Sequence, residues 1–570
     1  MWVLKLPRQK YATVNWPRLQ LKPSCVAVSK CILTAIPNLR ELTLALGDLH
    51  SALQRVPAQK LDTKLGDYVF FPLSHVFGQY QKLNDRAVEL ALQCLDVLVC
   101  SCWRLKIEPE MAKQLLILVT FVVGGKPGAT TEAASTARSE ETKLAGCRCL
   151  LNLFASLERG DTRLLEEVDT MPAVGHTVAT LLGAFEKGGM VELQLVALQA
   201  LEKLLLHAIR DEDMRASFYP GVVSGLVKAV GLGKTTKRSF TVLKDMMKFL
   251  ERLITAVLDD QHIATLPETN PHEGTGDERL KLTRSKPWMK LTAANTKVAL
   301  EQVLKLRTHP KVEVRTAVFE LARGLLESCG QSLEEATTIL VETLVVVAGD
   351  ADESLARLSE NTIRVMAMMG DKVKDSVRGC LDRWIGALPK VMTGNDEDAK
   401  LRVITRLSIA FGLCSELDME SGLLRDLLAD AVKDSLLASN APTRTSSALV
   451  RATPVQPRLE MLTIDRTSTS FGTNQIAKFP DIMVQQRSQM GTMESMKQLL
   501  SSLGQSTSGL ELSQRHLRDA SLPGISVDSR ASSLWISLNL LRPKMSPDDG
   551  RLGKEHRSAL CERRAYGFQQ

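Results

Sequence analysis

The sequence predicts an all-α fold of stacked antiparallel helix pairs, and three observations carry that prediction. The first is the stretch from Lys286 to Cys329, where two helical patterns flank a short polar break. In its second half, Val314, Ala317, Val318, Leu321, Ala322 and Leu325 form one apolar stripe at the 3.6-residue period. His309-Pro310 marks the break, because the residue before proline avoids helical dihedrals and proline suits a first helical turn. The second is recurrence. Arg315, Arg357 and Arg402 each stand early in a helix, 42 and 45 residues apart, the last two after acidic turns holding Asp350, Asp352, Asp396 and Asp398. A period near 40–47 built from paired helices is the mark of HEAT or armadillo arrays. The third is composition: 44% hydrophobic with only 4% aromatic residues is a leucine, valine and alanine core, suited to stacked helices rather than to strands.

In chain order, residues 1–20 are basic and irregular, and helical repeats are expected over 21–438. Leu65–Phe77 is the most aromatic stretch, and Pro72 within it predicts a kink or a helix end. In the next helix Ala87, Ala91, Cys94, Leu95 and Leu98 share a face, with Asn84 or Asp85 as its cap. A mobile polar loop is expected over 124–142, then a helix from Lys143 to Leu157. Ala197, Leu201, Leu204, Leu205 and Ala208 form one stripe, and a further helix follows over Ser239–Leu258. A second polar loop is expected over 259–285. Residues 439–491 read as a Ser/Thr/Pro-rich linker. Over 492–542, weak helices at Thr492–Leu503 and Gly509–Asp519 precede Ala531–Arg542, expected to be the first helix of a further repeat; 543–570 form a polar tail.

Charge and cysteine usage bound the function. Basic residues number 72 and acidic residues 65, a net charge of +7 with both signs mixed and no basic block of the kind a nucleic-acid face needs. An odd count of eleven cysteines, mostly within apolar stripes, predicts reduced, buried thiols. The opening residues lack a continuous apolar core, and the longest apolar run, Leu115–Val123, is too short for a membrane span. A cytoplasmic or nuclear protein that binds neither membrane nor nucleic acid is expected.

Catalytic chemistry is not encoded in any recognisable pattern. Gly231–Lys237 (GLGKTTK) lacks the glycine that a phosphate-binding loop needs at position 228, which is Lys228. Cys94, Cys100 and Cys102, like Cys147 and Cys149, have no histidine pair or second CxxC to complete a zinc set and are read as packing residues. His75 and His207 are likewise read as packing residues. The acidic runs Glu140-Glu141, Asp211–Asp213 and Asp396–Asp398 are read as solvated caps. No enzyme activity, cofactor or metal is expected, and no catalytic or partner-binding residue is assigned. The recurring Arg315, Arg357 and Arg402 are expected to pair with acidic turn residues of neighbouring repeats rather than to form a binding stripe.

Three segments resemble the Tel-two-interacting protein one family: LDTKLGDYVFFPLSHVF, RSKPWMKLTAANTKVALEQVLKLRTHPKVEVRTAVFELARGLLESC and ASSLWISLNLLR. Their order and spacing fit that family from about Leu21 to Arg542. The resemblance implies a scaffold of the triple-T complex, with Tel two and Tti two proteins as partners. It also implies clients among the phosphatidylinositol-3-kinase-related kinases, including TOR and DNA-damage checkpoint kinases. The ninety-kilodalton heat-shock chaperone and an AAA+ cochaperone are implied as indirect partners. Divergence from Pro543 onward implies a C-terminally truncated member. The competing readings are a karyopherin-like transport receptor, which would bind a small GTPase, and an enzyme with a HEAT regulatory region.

Overall fold

The computed structural model describes residues 16–33, 38–104, 107–125, 138–160, 163–230, 238–268, 283–417, 422–440, 490–505 and 509–542. The expected linker at 439–491 and the tail at 543–570 lie almost wholly outside these, as does Gly231–Lys237 and most of the two expected loops. Every regular element among the described residues is helical. The chain divides into two compact units, Met1–Thr343 and Leu344–Gln570, each taken on its own below.

The first unit builds a two-layer stack. Its helices are α1 (Trp16–Leu33), α2 (Leu39–Arg55), α3 (Thr63–Gly78), α4 (Asp85–Val97), α5 (Pro109–Gly124) and α6 (Glu140–Arg159). They continue as α7 (Met171–Lys187), α8 (Val191–Glu202), α9 (Glu212–Val230), α10 (Phe240–Leu258), α11 (Lys286–Val303) and α12 (Val312–Ser328); the boundary between the units falls within α13 (Thr337–Val347). One layer runs α2–α4–α6–α8–α10–α12, each helix packed on the next; the other holds α1 on α3 and α5–α7–α9–α11. Sequence-adjacent helices pair across the layers, as α1 with α2, α5 with α6 and α7 with α8.

Local chemistry sets the helix starts. Asn38, Asp62, Asn84, Ser139 and Ser285 cap α2, α3, α4, α6 and α11, each side chain accepting an amide of the first turn. The period-3.6 stripes are the core. Val314, Val318, Leu321, Ala322 and Leu325 are buried in α12, as are Ala87, Ala91, Cys94, Leu95 and Leu98 around α4. Both α4 and α8 end in a π-helical turn, Leu98–Cys102 and Lys203–Ala208, and both turns pack against α6. Of the kink or helix end expected at Pro72, the end is absent, since α3 runs through Pro72 with that residue buried. Packing of that face outweighs the lost backbone bond.

The second unit comprises α14 (Glu353–Met369), α15 (Asp371–Met392), α16 (Glu397–Glu416), α17 (Gly422–Asn440), α18 (Met490–Gln505), α19 (Gly509–Ser521) and α20 (Val527–Leu541). Asp352, Asp396 and Ser526 cap α14, α16 and α20. α15 packs on α14, α16 and α17; α18 packs on α16; and α20 closes on α17, α18 and α19. The helix expected to begin a further repeat is therefore the second of a pair: α20 folds back on α19 through a short turn containing Gly524, whose φ of 83° suits glycine.

Candidate partner-binding surface

The residues singled out from sequence fall into structural roles. Cys94, Cys102, Cys147 and Cys149 are buried thiols, and burial pushes Cys102 and Cys147 up to about 12, so they stay protonated. Cys100 is exposed on the π turn. His75 is half-buried and stacks on Phe71 at 4.9 Å. His207 departs from expectation: it faces solvent and lies 3.4 Å from Glu158, which Lys203 also engages. The Lys203 hydrogen bond is the main cause holding the Glu158 carboxyl below its usual value. Among the described residues no group of three or more His, Cys, Asp or Glu side chains is placed to hold a metal. No described helix is long and apolar enough to cross a membrane.

Each of the recurring arginines makes bonds within its own turn. Arg315 donates to the carbonyls of His309 and Pro310 at 2.8 and 3.0 Å, Arg357 pairs with Glu353, and Arg402 lies 3.6 Å from Asp396. These bonds tie each arginine to its own turn.

What links repeat to repeat is a series of carboxylates in the first unit. Asp85 accepts the Ser139 amide at 2.7 Å while binding Arg138 at 2.8 Å. Glu140 takes the amides of Gly189 and Met190 at 2.6 and 2.8 Å. Glu166 takes those of Arg210 and Asp211, both at 2.8 Å, and Asp260 those of Gln331 and Ser332 at 2.7 and 2.8 Å. Each satisfies backbone donors at the start of a later element, where the helix dipole also favours negative charge. Arg284, nearly buried, binds Glu212 and Asp213 and anchors α11 on α9 in the same way. Arg148–Glu192 and Arg252–Glu202 add rungs between α6 and α8 and between α8 and α10.

Two of the three sequence segments that carry the family resemblance turn out to be packing devices. Gly66 sits where a methyl would lie 2.7 Å from Cys102 Cβ and 3.1 Å from the Trp103 indole nitrogen, so α3 can approach the π turn only with glycine there. Phe70 meets Trp103 edge-on at 5.7 Å. In the central segment Ser285 caps α11 and Arg307 reaches Glu342 at 2.8 Å.

Outward-facing apolar side chains mark the surfaces free for contact. On α14, Leu358, Val365, Met368 and Met369 share the exposed face, with Met368 and Met369 77% and 84% accessible. On α11, Leu291 and Val298 stand two turns apart and exposed. Stripes of this kind suit docking of apolar groups, and methionine adapts to irregular partners.

Residues 19–351 match the family model described as the TTI1 N-terminal TPR domain. The chain belongs to the TTI1 family. The human TELO2-interacting protein 1 homolog (Homo sapiens) is 24% identical over 410 residues, 68% of this chain and 36% of that protein. TEL2-interacting protein 1 of Saccharomyces cerevisiae (strain ATCC 204508 / S288c) is 26% identical over 398 residues, 63% of this chain and 37% of that protein. This TTI1-family chain thus spans just over a third of the length of the curated relatives it matches. A solved structure of importin beta aligns with 91% of the chain and 60% of its own at 13% identity and a TM-score of 0.38, too low to carry a functional argument. Family membership and the paired antiparallel helices make this a TTI1-family protein of α-solenoid architecture.

Proposed function

We propose that this chain is a scaffold that binds a TEL2-type protein and, with a Tti two protein, forms a cochaperone assembly of the triple-T kind. The family match over 19–351, with two relatives whose names state interaction with TEL2 or TELO2, carries the reading. The repeat-bridging carboxylates support it physically, because they stiffen a long helical surface on which many weak contacts can add up. Its clients are the phosphatidylinositol-3-kinase-related kinases, TOR and the DNA-damage checkpoint kinases among them. The ninety-kilodalton heat-shock chaperone and its AAA+ partner act on the same assembly without touching this chain. It works in the cytoplasm and the nucleus and requires no cofactor.

The test is affinity purification of the tagged chain from its own cells, followed by mass spectrometry. Recovery of Tel two, Tti two and the very large kinases supports the proposal. Recovery of a GTP-loaded small GTPase in their place would point to a transport receptor. Recovery of the first two without kinases would keep the scaffold and remove the clients.

A further inference from the structure

The contact between α19 and α20 is unusually polar for a helix pair. Ser513 and Ser537 meet hydroxyl to hydroxyl at 2.6 Å, both buried. One turn further along α19, His516 is wholly buried, and neither ring nitrogen has a hydrogen-bond partner. One turn back along α20, at the level that antiparallel pairing assigns to His516, the buried Ser533 hydroxyl is also without a partner, as is that of Ser532. Buried polar atoms are nearly always paired, so this cluster is a weak point in the packing.

The charges facing His516 are already committed. On its own helix, Arg515 binds Asp426 at 2.9 Å and also Asp430, both on α17. Lys433 of α17 binds Asp519 of α19 at 3.1 Å. On α18, Glu494 and Lys497 pair with each other at 3.4 Å. The remaining charges of α19 and α20, namely Glu511, Arg518, Asp528, Arg530 and Arg542, are exposed. Arg425 and the exposed Asp434 complete the charges of α17. Three carboxylates, Asp426, Asp430 and Asp519, thus face two cations, Arg515 and Lys433, and what opposes an imidazolium is the burial of a ring that makes no hydrogen bond.

We propose that His516 is a proton-sensitive latch, whose neutral ring lets α19 and α20 stay seated on α17 and whose protonation unseats them. A proton on the ring puts a charge inside the α19–α20 contact, where neither ring nitrogen has a hydrogen-bond partner. The strain is relieved by drawing Asp430 or Asp519 away from Arg515 or Lys433 towards the ring or by opening the pair to water, and each route breaks the α17–α19 clamp. Burial, then the Arg515 charge, hold the folded imidazole below its ordinary value. A depressed folded value means that the stability is present above about 6.5 and is lost as pH falls below it. The opened ring titrates near 6.5, so a drop from pH 7.5 to 5.5 raises the open population, by about tenfold at most.

The experiment is amide hydrogen exchange by mass spectrometry on the whole chain at both pH values, corrected for intrinsic exchange. Amides of α19 and α20 should lose protection, by about tenfold at most, while those of α12 do not, and His516→Gln should abolish the response. Unchanged protection, or the same loss in His516→Gln, overturns the proposal. Should the variant not fold, exchange at the imidazole C2 position of the wild-type chain decides instead. A titration below 6.5 supports the latch, and one at the ordinary histidine value overturns it.

Discussion

Gly504, in the last turn of α18, is the position where a single methyl should do the most visible damage. A Cβ there would lie 2.8 Å from the carbonyl carbon of Leu540 and 3.0 Å from its Cα, and closer still to its carbonyl oxygen. The obstacle is backbone, so no rotamer change relieves it, and α18 must move off α20 by something like 1 Å. Overpacking of this kind costs about 1–3 kcal/mol, and alanine returns up to ~1 kcal/mol of helix propensity. Gly504→Ala should therefore destabilise the contact by about 1–2 kcal/mol, raising amide exchange in α18 and α20 roughly 5- to 30-fold. Gly379, exposed within α15 with nothing near a built Cβ, is the matched control. Gly379→Ala should slow exchange in α15, a gain of about 0.5–1 kcal/mol. Both are read by hydrogen exchange on the whole chain. Equal effects of the two substitutions, or unchanged protection in Gly504→Ala, would refute the close approach of α18 to Leu540.

Glu140→Ala should loosen the start of α8 by about 1.5–3 kcal/mol, because two amides lose a charged acceptor; faster exchange at Gly189 and Met190 checks it. Phe319, fully buried in α12, should cost about 3–5 kcal/mol on change to alanine, seen as a lowered thermal midpoint. Cys147 and Cys149 should resist alkylation in the folded chain and react once it is unfolded, as peptide mapping after iodoacetamide treatment would show.

Periodicity made much of the fold legible. The α12 stripe and the Ser239–Leu258 helix can be read directly, since apolar spacing is a local signal. The apolar pattern starts at Lys143, yet α6 begins at Glu140, whose carboxylate reaches amides some 50 residues ahead. That is tertiary information. The repeat-bridging carboxylates escaped notice for a related reason: Asp85, Glu140, Glu166 and Asp260 reach forward by unequal spans and trace no period. The arginines that do recur each bond within their own turn. α19 is weak in the sequence because Ser513, Gln514 and His516 occupy the buried face where the pattern demands apolar residues. The exposed α14 stripe was hidden by its own regularity. Leu355, Ile363 and Ala367 fill the core, while Leu358, Val365 and Met369 fall on the opposite face, and sequence alone does not say which apolar face is covered.

The central claim is that this chain itself docks a TEL2-type protein. Purified chain mixed with purified TEL2-type protein, followed by size-exclusion chromatography with light scattering, tests it directly. Co-elution at the mass of a one-to-one complex, lost in the doubly substituted Val365→Glu, Met368→Glu chain if the α14 face is the contact, is the predicted result. Separate elution of two folded proteins at micromolar concentration would contradict it.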